Sequence, residues 1–339
     1  MEEHPAPVPV SNAPGTPAAA PLQEQRSDLS LSYTGEGSEY FVIQLVNSLL
    51  ALVTLGIYYP WGRARELRFL IGSLTVDAEP LTFHGFGKEL FWGMLRAWLV
   101  FFLPLVVLYV VMGTAVSQPG VQTAAMLGFY VLMLVFVPFA VVGSLRYRAS
   151  RTSWRGIRFG FDGRFGEFGW AYAWRLLAIV FTLGLAYPHV STWRRRYVLE
   201  HSRFGTERFE FHGAGGDLMS RFVLCWFLLL PTLGLSMTWF HGHQQAYFWN
   251  HTGLAGGRFR STLTGGEWVG VSLVNALLVM LTLGIGASWA YTNLHREFFS
   301  RLSLQGIDLA RIHAMASTGS GVGEGVAHML DMDGGVDIG

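Results

Sequence analysis

The chain of 339 residues is poor in charge, in cysteine and in lysine. Charged residues make up only 14% of it, well below the quarter that is usual in soluble domains. Cys225 is the single cysteine, so no disulfide can form within the chain and nothing indicates an oxidising compartment. All but one of the 24 basic residues are arginine, whose planar side chain suits carboxylates and phosphates.

Motifs that carry chemistry are also missing. The sequence has no phosphate-binding loop, no nucleotide fingerprint and no Gly-x-Ser-x-Gly turn. His241, His243 and His251 lie among aromatic residues with no cysteine nearby, so we predict no metal site and no cofactor. A net charge of +1 gives no reason to expect a nucleic-acid partner. We therefore expect that the protein is not an enzyme.

Apolar residues, in contrast, make up 51% of the chain. The stretches 91–113, 121–145 and 222–240 contain at most one charged residue each. Each comes to roughly the 20 residues that a helix needs to cross about 30 Å of hydrocarbon. The composition therefore predicts a polytopic helical membrane protein.

A short sequence motif recurs five times. It consists of an aromatic residue (Ser261 in the fifth copy), glycines, an acid and then an apolar run. The five acids are 50, 78, 50 and 50 residues apart, and they are Glu39, Glu89, Glu167, Asp217 and Glu267. Thr-Leu-Gly follows four of them by fifteen residues, at Thr54, Thr182, Thr232 and Thr282. This spacing predicts a repeat architecture. Its units are about 31–80, 81–158, 159–208, 209–258 and 259–311, and together they form a transmembrane domain over 31–311.

Two sets of residues are candidates for binding. Each of the five acids is predicted near the first turn of a helix, where a carboxylate complements the helix dipole. The alternative is that the acids converge on one polar site inside the bundle. Arg68, Arg196 and Arg296 share one register, fourteen residues after the threonine. They are predicted either to anchor anionic lipid headgroups or to form a binding surface for an anionic solute or lipid.

The residues between the threonine and this arginine suggest where the first helix stops. Pro60 lacks a backbone donor and should kink or end the helix. Seven residues beyond each threonine stand Trp61, His189, Trp239 and Trp289. Three aromatic residues of four at this register indicate an interfacial belt, with packing in the core as the alternative.

The fold class that we predict is an all-α bundle of five repeat units with short extended Gly-rich connectors. It has about six transmembrane helices, near 40–60, 90–113, 121–145, 169–188, 221–240 and 268–290, and the second unit crosses twice. Lys and Arg then divide almost evenly between the two sides, although they normally favour the cytoplasm. In the alternative, Thr-Leu-Gly is the bottom of a re-entrant helical hairpin and the second unit is a full two-pass hairpin. All arginine clusters then lie on one side.

The two ends differ from the rest of the chain in composition. Residues 1–30 are rich in Pro and Ala and are predicted to be disordered, without the features of a secretory signal. Residues 312–339 form a Gly-rich acidic tail, in which 324–330 is a candidate for a short helix.

Three segments together resemble a known family. They are the run Thr54-Leu-Gly-Ile-Tyr-Tyr-Pro-Trp61 with its following arginines, the run from Thr152 to Phe159, and the tail from Gly323 to Asp331. Their combination resembles the YjgN-like family of uncharacterised bacterial inner-membrane proteins, over about residues 30–339. The resemblance implies a multi-pass location in the inner membrane and implies no reaction. The third and fifth units depart from the Tyr-Pro-Trp step, which makes a function tied to it doubtful there.

Two functions are compatible with these patterns. The first is a transport or channel-like protein for an anionic small molecule or lipid, because internal repeats and broken helices are common in transporters. The second is a non-catalytic membrane scaffold or lipid-binding envelope protein. Anionic lipid headgroups are the expected partners, a homo-oligomer is a further candidate, and no small-molecule ligand is identified.

Overall fold

The computed structural model describes residues 26–114, 118–308 and 312. Its helices are α1 (Gly37–Val53), α2 (Tyr59–Gly72), α3 (Gly87–Ala97), α4 (Leu103–Thr114), α5 (Pro119–Ser150), α6 (Phe165–Phe181), α7 (Tyr187–Glu200), α8 (Met219–Phe227), α9 (Leu235–Asn250), α10 (Gly265–Leu281) and α11 (Ala287–Ser300). Its strands are β1 (Arg26–Tyr33), β2 (Leu74–Val76), β3 (Glu79–Pro80), β4 (Thr82–Phe83), β5 (Thr152–Trp154), β6 (Ile157–Phe161), β7 (Ser202–Phe204), β8 (Glu207–Phe211), β9 (Thr252–Leu254), β10 (Gly257–Ser261) and β11 (Leu302–Asp308). A π-helical turn, Trp98–Phe102, joins α3 to α4, and a 3-10 turn, Gly215–Leu218, precedes α8.

Thr-Leu-Gly reverses the chain and makes a hairpin of two helices. The hydroxyl of Thr54 donates to the carbonyl of Leu50 at 2.7 Å and accepts from the amide of Tyr58 at 3.0 Å. Leu55 and Gly56 follow in the left-handed region, with φ of 50° and 89°. Two successive left-handed residues end α1 and direct α2 back alongside it. The same backbone and hydroxyl geometry recurs at Thr182, Thr232 and Thr282.

The proline after this turn begins a helix. Pro60 lies in the first turn of α2 and Pro188 in the first turn of α7, where a missing backbone donor costs nothing because that donor has no partner within the helix. The prediction that Pro60 ends or kinks a helix is therefore wrong, because α1 ends at Val53 and Pro60 lies at the beginning of α2. The second unit differs, since α5 continues through Pro138 without a break.

The extended connectors form one antiparallel sheet of eleven strands. Its order is β3-β2-β1-β11-β10-β9-β8-β7-β6-β5-β4, so the first strand of the described residues pairs with the last. The two edge strands, β3 and β4, are separated along the chain by Leu81 alone. The sheet therefore curls almost into a ring. Arg155, in the β5–β6 turn, lies 2.6 Å from Glu79 and 3.7 Å from Asp77, and so links the two sides of the opening.

The inside of this curled sheet is filled with apolar side chains. They come from strands around the whole sheet, and the largest are Trp154, Phe204, Phe259, Leu302, Leu304 and Ile307. Alternate residues of β1, Leu29, Leu31 and Tyr33, point inward, as a period of two requires. The sheet end of the molecule is thus a packed core.

The helices form a second ring above the sheet. Each helix packs against the next along the chain, and α11 returns to α1. Glycine allows the closest contacts between units: a Cβ on Gly87 would lie 2.5 Å from Trp61, and one on Gly37 would lie 2.5 Å from Trp289. Trp61 and Trp289, each seven residues beyond the threonine, therefore pack between units, which was the alternative to an interfacial belt.

The predicted fold class, an all-α bundle with six spans, is wrong. Most of the strands have two to five residues, which is too few for their own sequence to show that they belong to a sheet. Among the described residues, only Gly87–Thr114 and Pro119–Ser150 are long and apolar enough to cross a membrane. The other units turn back after arms of at most 17 residues. The re-entrant alternative also assumed an all-α fold, and the sheet of eleven strands shows that this assumption is wrong.

The predicted tails fall almost entirely outside the described residues. Residues 26–30 of the N-terminal segment lie in β1, and Ile312 of the C-terminal segment is buried in the sheet core. The short helix considered at 324–330 lies outside the described part of the chain.

Candidate functional site

The structure places all five acids in the first turn of a helix, around the rim where helices meet the sheet. Glu39 and Glu167 are exposed there, and Tyr247 donates its hydroxyl to Asp217. Glu89 binds Arg151 through two hydrogen bonds, of 3.0 and 2.8 Å. The acids are on five different units and do not meet at one point.

Glu267 is held most firmly of the five. It forms a capping box with Thr264 and an ion pair of 2.6 Å with Arg301. The hydrogen bonds from Thr264 and Arg301 lower the pKa of its carboxyl to about 2. Glu267 is therefore ionised at any physiological pH and stabilises the start of α10.

The three candidate arginines connect neighbouring units. Their Nη2 atoms donate to a backbone carbonyl in the glycine loop of the next unit: Arg68 to Gly85 at 3.2 Å, Arg196 to Gly213 at 2.7 Å and Arg296 to Gly35 at 3.1 Å. Each therefore has a partner within the protein. They are distributed around the ring at separate boundaries, and none of them pairs with one of the five acids among the described residues.

Sequence reasoning missed a fourth member of this set. Arg146 of α5 donates to the carbonyl of Gly163 at 2.8 Å, which is the same contact in the second unit. The long second unit hides the register, because it has no Thr-Leu-Gly from which to count. The signal that finds it is the pair Pro138-Phe139, since Arg146 follows this phenylalanine by seven residues as Arg68 follows Trp61.

A polar cluster in the first unit was also missed. Arg63 and Glu66, one turn apart on α2, form an ion pair of 2.5 Å, and buried Tyr40 of α1 donates to the other oxygen of Glu66 at 2.6 Å. Arg63 lies near the beginning of α2 and therefore toward the hairpin turn, whereas Arg68 lies near the end of the same helix.

A cavity of about 360 Å³ lies beside this cluster, between α1 and α2. It is lined by Gln44, Asn47, Ser48, Ala51, Tyr59, Gly62, Arg63 and Glu66. Asn47 donates to the carbonyl of Gly62 at 3.0 Å, but its side-chain oxygen is enclosed without a donor. The volume is within the range of small-molecule sites, and the lining offers both donors and acceptors.

Charged and polar side chains from three units lie close enough to interact electrostatically near this cluster. Arg148 of α5 is within electrostatic range of Arg63 on α2 and of Tyr291 on α11, and Tyr291 is also in range of Glu66. These three helices are not neighbours in the ring, so their side chains approach one another across its interior. These residues lie on the second helix of their hairpins, α2, α5 and α11. We call the side of these helices that is marked by Arg63, Arg148 and Tyr291 the inner face.

Arg195 adds a further positive charge in the third unit. Its guanidinium lies 4.5 Å from the ring centre of Trp249, and its Nε and Nη2 atoms are enclosed with no acceptor among the described residues. Burial lowers the pKa of Arg195 to about 10, so the side chain is still charged at neutral pH. The same edge, Nε with Nη2, binds a carboxylate at Arg151 and at Arg155. At Arg195 this edge is suited to an oxyanion.

The hairpin turns are apolar and exposed. The leucine of each Thr-Leu-Gly protrudes almost completely: Leu55 is 93% exposed, Leu183 77%, Leu233 94% and Leu283 94%. Apolar residues next to the turns, such as Val53, Ile57, Phe181 and Ile285, are exposed as well. Such surfaces are typical of contact with a membrane.

Comparison with known proteins agrees with the resemblance found in the sequence. The chain matches the family described as "Bacterial protein of unknown function (DUF898)" over residues 28–238 and 222–329. Inner membrane protein YjgN of Salmonella typhimurium is 36% identical over 135 residues, which are 39% of this chain and 31% of that protein. Inner membrane protein YjgN of Escherichia coli K12 is 32% identical over 141 residues, 42% of this chain and 33% of that protein.

The matched segments thus span about a third of the length of these relatives. No solved structure matches the chain. The family match covers most of the chain and includes the helical hairpins, the sheet and the inner face. The chain therefore belongs to this family, the YjgN-like proteins of the bacterial inner membrane.

Proposed function

We propose that this multi-pass protein binds the headgroup of an anionic lipid at its inner face and takes part in moving that lipid. The observation that carries the proposal is the excess of positive charge there. Arg63 is balanced by Glu66, but Arg148 has no carboxylate partner among the described residues; Arg195, against Trp249 in the third unit, is a second cation without one. Arg148 is exposed, so its guanidinium is open to a ligand, and a cation of this kind beside a membrane attracts a negative counter-charge. A phosphate or carboxylate supplies it.

The surroundings of the inner face favour a lipid over a free solute. On the sheet side the apolar core closes the interior, which argues against a continuous aqueous path along the axis. On the other side stand the apolar hairpin turns. A ligand with a charged head and apolar tails matches this order of polar and apolar zones. Transport of another anionic small molecule through the same face is the second form of the proposal.

The expected strength follows from the chemistry of arginine with oxyanions. A hydrogen bond to a charged group contributes about 1.5–3 kcal/mol. Removing one such contact should weaken binding by about 10- to 100-fold, since 1.4 kcal/mol corresponds to a factor of ten. The proposal includes no catalytic step.

The test compares the Arg148→Gln variant with the unaltered protein, both in nanodiscs. The fraction of bound fluorescent phosphatidylglycerol is measured against phosphatidylcholine, with inorganic phosphate as competitor. We expect a preference for the anionic lipid that Arg148→Gln reduces at least tenfold. Arg260→Gln, at an exposed position on β10, is the matched control and should leave the preference unchanged.

Other outcomes separate the alternatives. Equal binding of both lipids by the unaltered protein would refute the proposal. Displacement of the lipid by phosphate at low concentration would favour an anionic solute. Retained lipid preference with no flux of labelled lipid between the leaflets of proteoliposomes would favour a membrane scaffold or lipid-binding envelope protein.

A further inference from the structure

We infer that four of the five hairpins enter only the cytoplasmic leaflet of the membrane, and that the long hairpin of the second unit alone crosses it. This inference concerns the protein's contact with lipid and is independent of the lipid-binding proposal. It explains the leucines at the hairpin turns, the lengths of the arms and the distribution of arginine.

The turn leucines carry a cost that only a lipid environment offsets. Leu55 and Leu283 have φ near +50°, a conformation that costs a residue with a side chain about 1–2 kcal/mol. Glycine would avoid this cost, as it does at the next position. Moving a leucine side chain from water into hydrocarbon returns about 1.5–3 kcal/mol, which is the larger quantity. In water these side chains, more than 90% exposed, would gain nothing.

The depth of insertion follows from helix geometry. Exposed apolar residues begin at Val42 on α1 and at Leu273 on α10, which are 13 and ten residues before the turn leucines. At 1.5 Å per residue these arms extend about 20 and 15 Å, well short of the roughly 30 Å hydrocarbon core. The second unit differs, because helical segments of 28 and 32 residues span about 42 and 48 Å.

The charges then fall on one side. The bases of all hairpins meet the sheet, whose strands carry many of the arginines, among them Arg158, Arg203 and Arg260. The connection between α4 and α5, residues 115–118, contains no lysine or arginine. Because basic residues favour the cytoplasm, the sheet lies on the cytoplasmic side and this connection on the periplasmic side. The even division of charge that six spans imply does not arise.

Labelling of single cysteines tests this arrangement in the full chain, after Cys225→Ala removes the native thiol. A membrane-impermeant maleimide is applied to intact spheroplasts and to inverted vesicles. We expect Gln118→Cys to react only in spheroplasts, and Thr82→Cys and Arg203→Cys only in inverted vesicles. Leu55→Cys and Leu283→Cys should react from neither side and become reactive in detergent.

Two results would overturn the inference. One is reaction of either turn cysteine in spheroplasts, which would mean that its hairpin reaches the periplasm. The other is reaction of Thr82→Cys and Arg203→Cys from opposite sides. A nitroxide on the same turn cysteines gives a second measurement: its depth in nanodiscs should be near the bilayer midplane, and a depth in the headgroup region would refute insertion.

Discussion

Gly37→Ala should destabilise the closure of the ring between the fifth and first units. The added Cβ would lie 2.5 Å from Cδ1 of Trp289 and 2.8 Å from its Cα. The second contact is with backbone, so rotation of the tryptophan side chain does not remove it. Overpacking of this kind costs about 1–3 kcal/mol. At about 2–4 °C per kcal/mol for a domain of this size, the apparent melting temperature should fall by about 2–12 °C.

Gly270→Ala is the matched control for this change. Gly270 lies within α10, and no atom is within 4 Å of the position that its Cβ would take. Alanine favours a helix over glycine by about 1 kcal/mol, so this variant should be as stable as the unaltered protein or more so. Both are heated in detergent, and the remaining monodisperse fraction is measured by size-exclusion chromatography. If Gly37→Ala is as stable as Gly270→Ala, the close packing described between the units is refuted.

Two further predictions concern single side chains. Thr282→Val should lose the hydrogen bond of 2.6 Å to the carbonyl of Leu278 and the one of 2.7 Å from the amide of Gly286. Stability should therefore fall by about 1–3 kcal/mol, whereas Thr282→Ser should keep both bonds. Equal melting temperatures for the two variants would contradict this role. The folded pKa of Glu267, about 2, lies below its ordinary value of 4.5, so its contribution is present above pH 4.5 and is lost as the pH falls toward 2. Glu267→Gln should therefore flatten the acid limb of a stability profile, and an unchanged limb would count against the ion pair with Arg301.

Helix starts were predictable from the sequence because the signals are local. An acid in the first turn and glycine before it depend on neighbours within a few residues, and the structure has such a start in every unit. Thr-Leu-Gly was ambiguous for a physical reason. Leucine is a strong helix former and rarely takes positive φ, so its residue type alone favours a continuing helix over a turn.

The sheet was missed because its strands are short and several of its pairings join segments about 40 residues or more apart along the chain. The pairing of Arg26 with Asp308 joins the two ends of the described domain. Strands of two or three residues, such as Glu79–Pro80, carry no periodic pattern that could be read without their partners.

The inner face was missed for a different reason. Arg63 and Arg68 stand five residues apart on α2, and nothing in their residue type or local sequence separates their roles. Only the ring decides that Arg68 reaches the glycine loop of the next unit while Arg63 faces the interior.

By itself, the sequence determined the membrane character, the five-fold motif and the helix starts, because composition and short-range spacing control these properties. The tertiary structure decided how long the helical arms of each unit are and where they turn back, how the connectors pair into one curled sheet, and which arginines approach one another. Those outcomes depend on contacts between different units and between the two ends of the described domain, and the free energy of such contacts is not contained in any one segment of the chain.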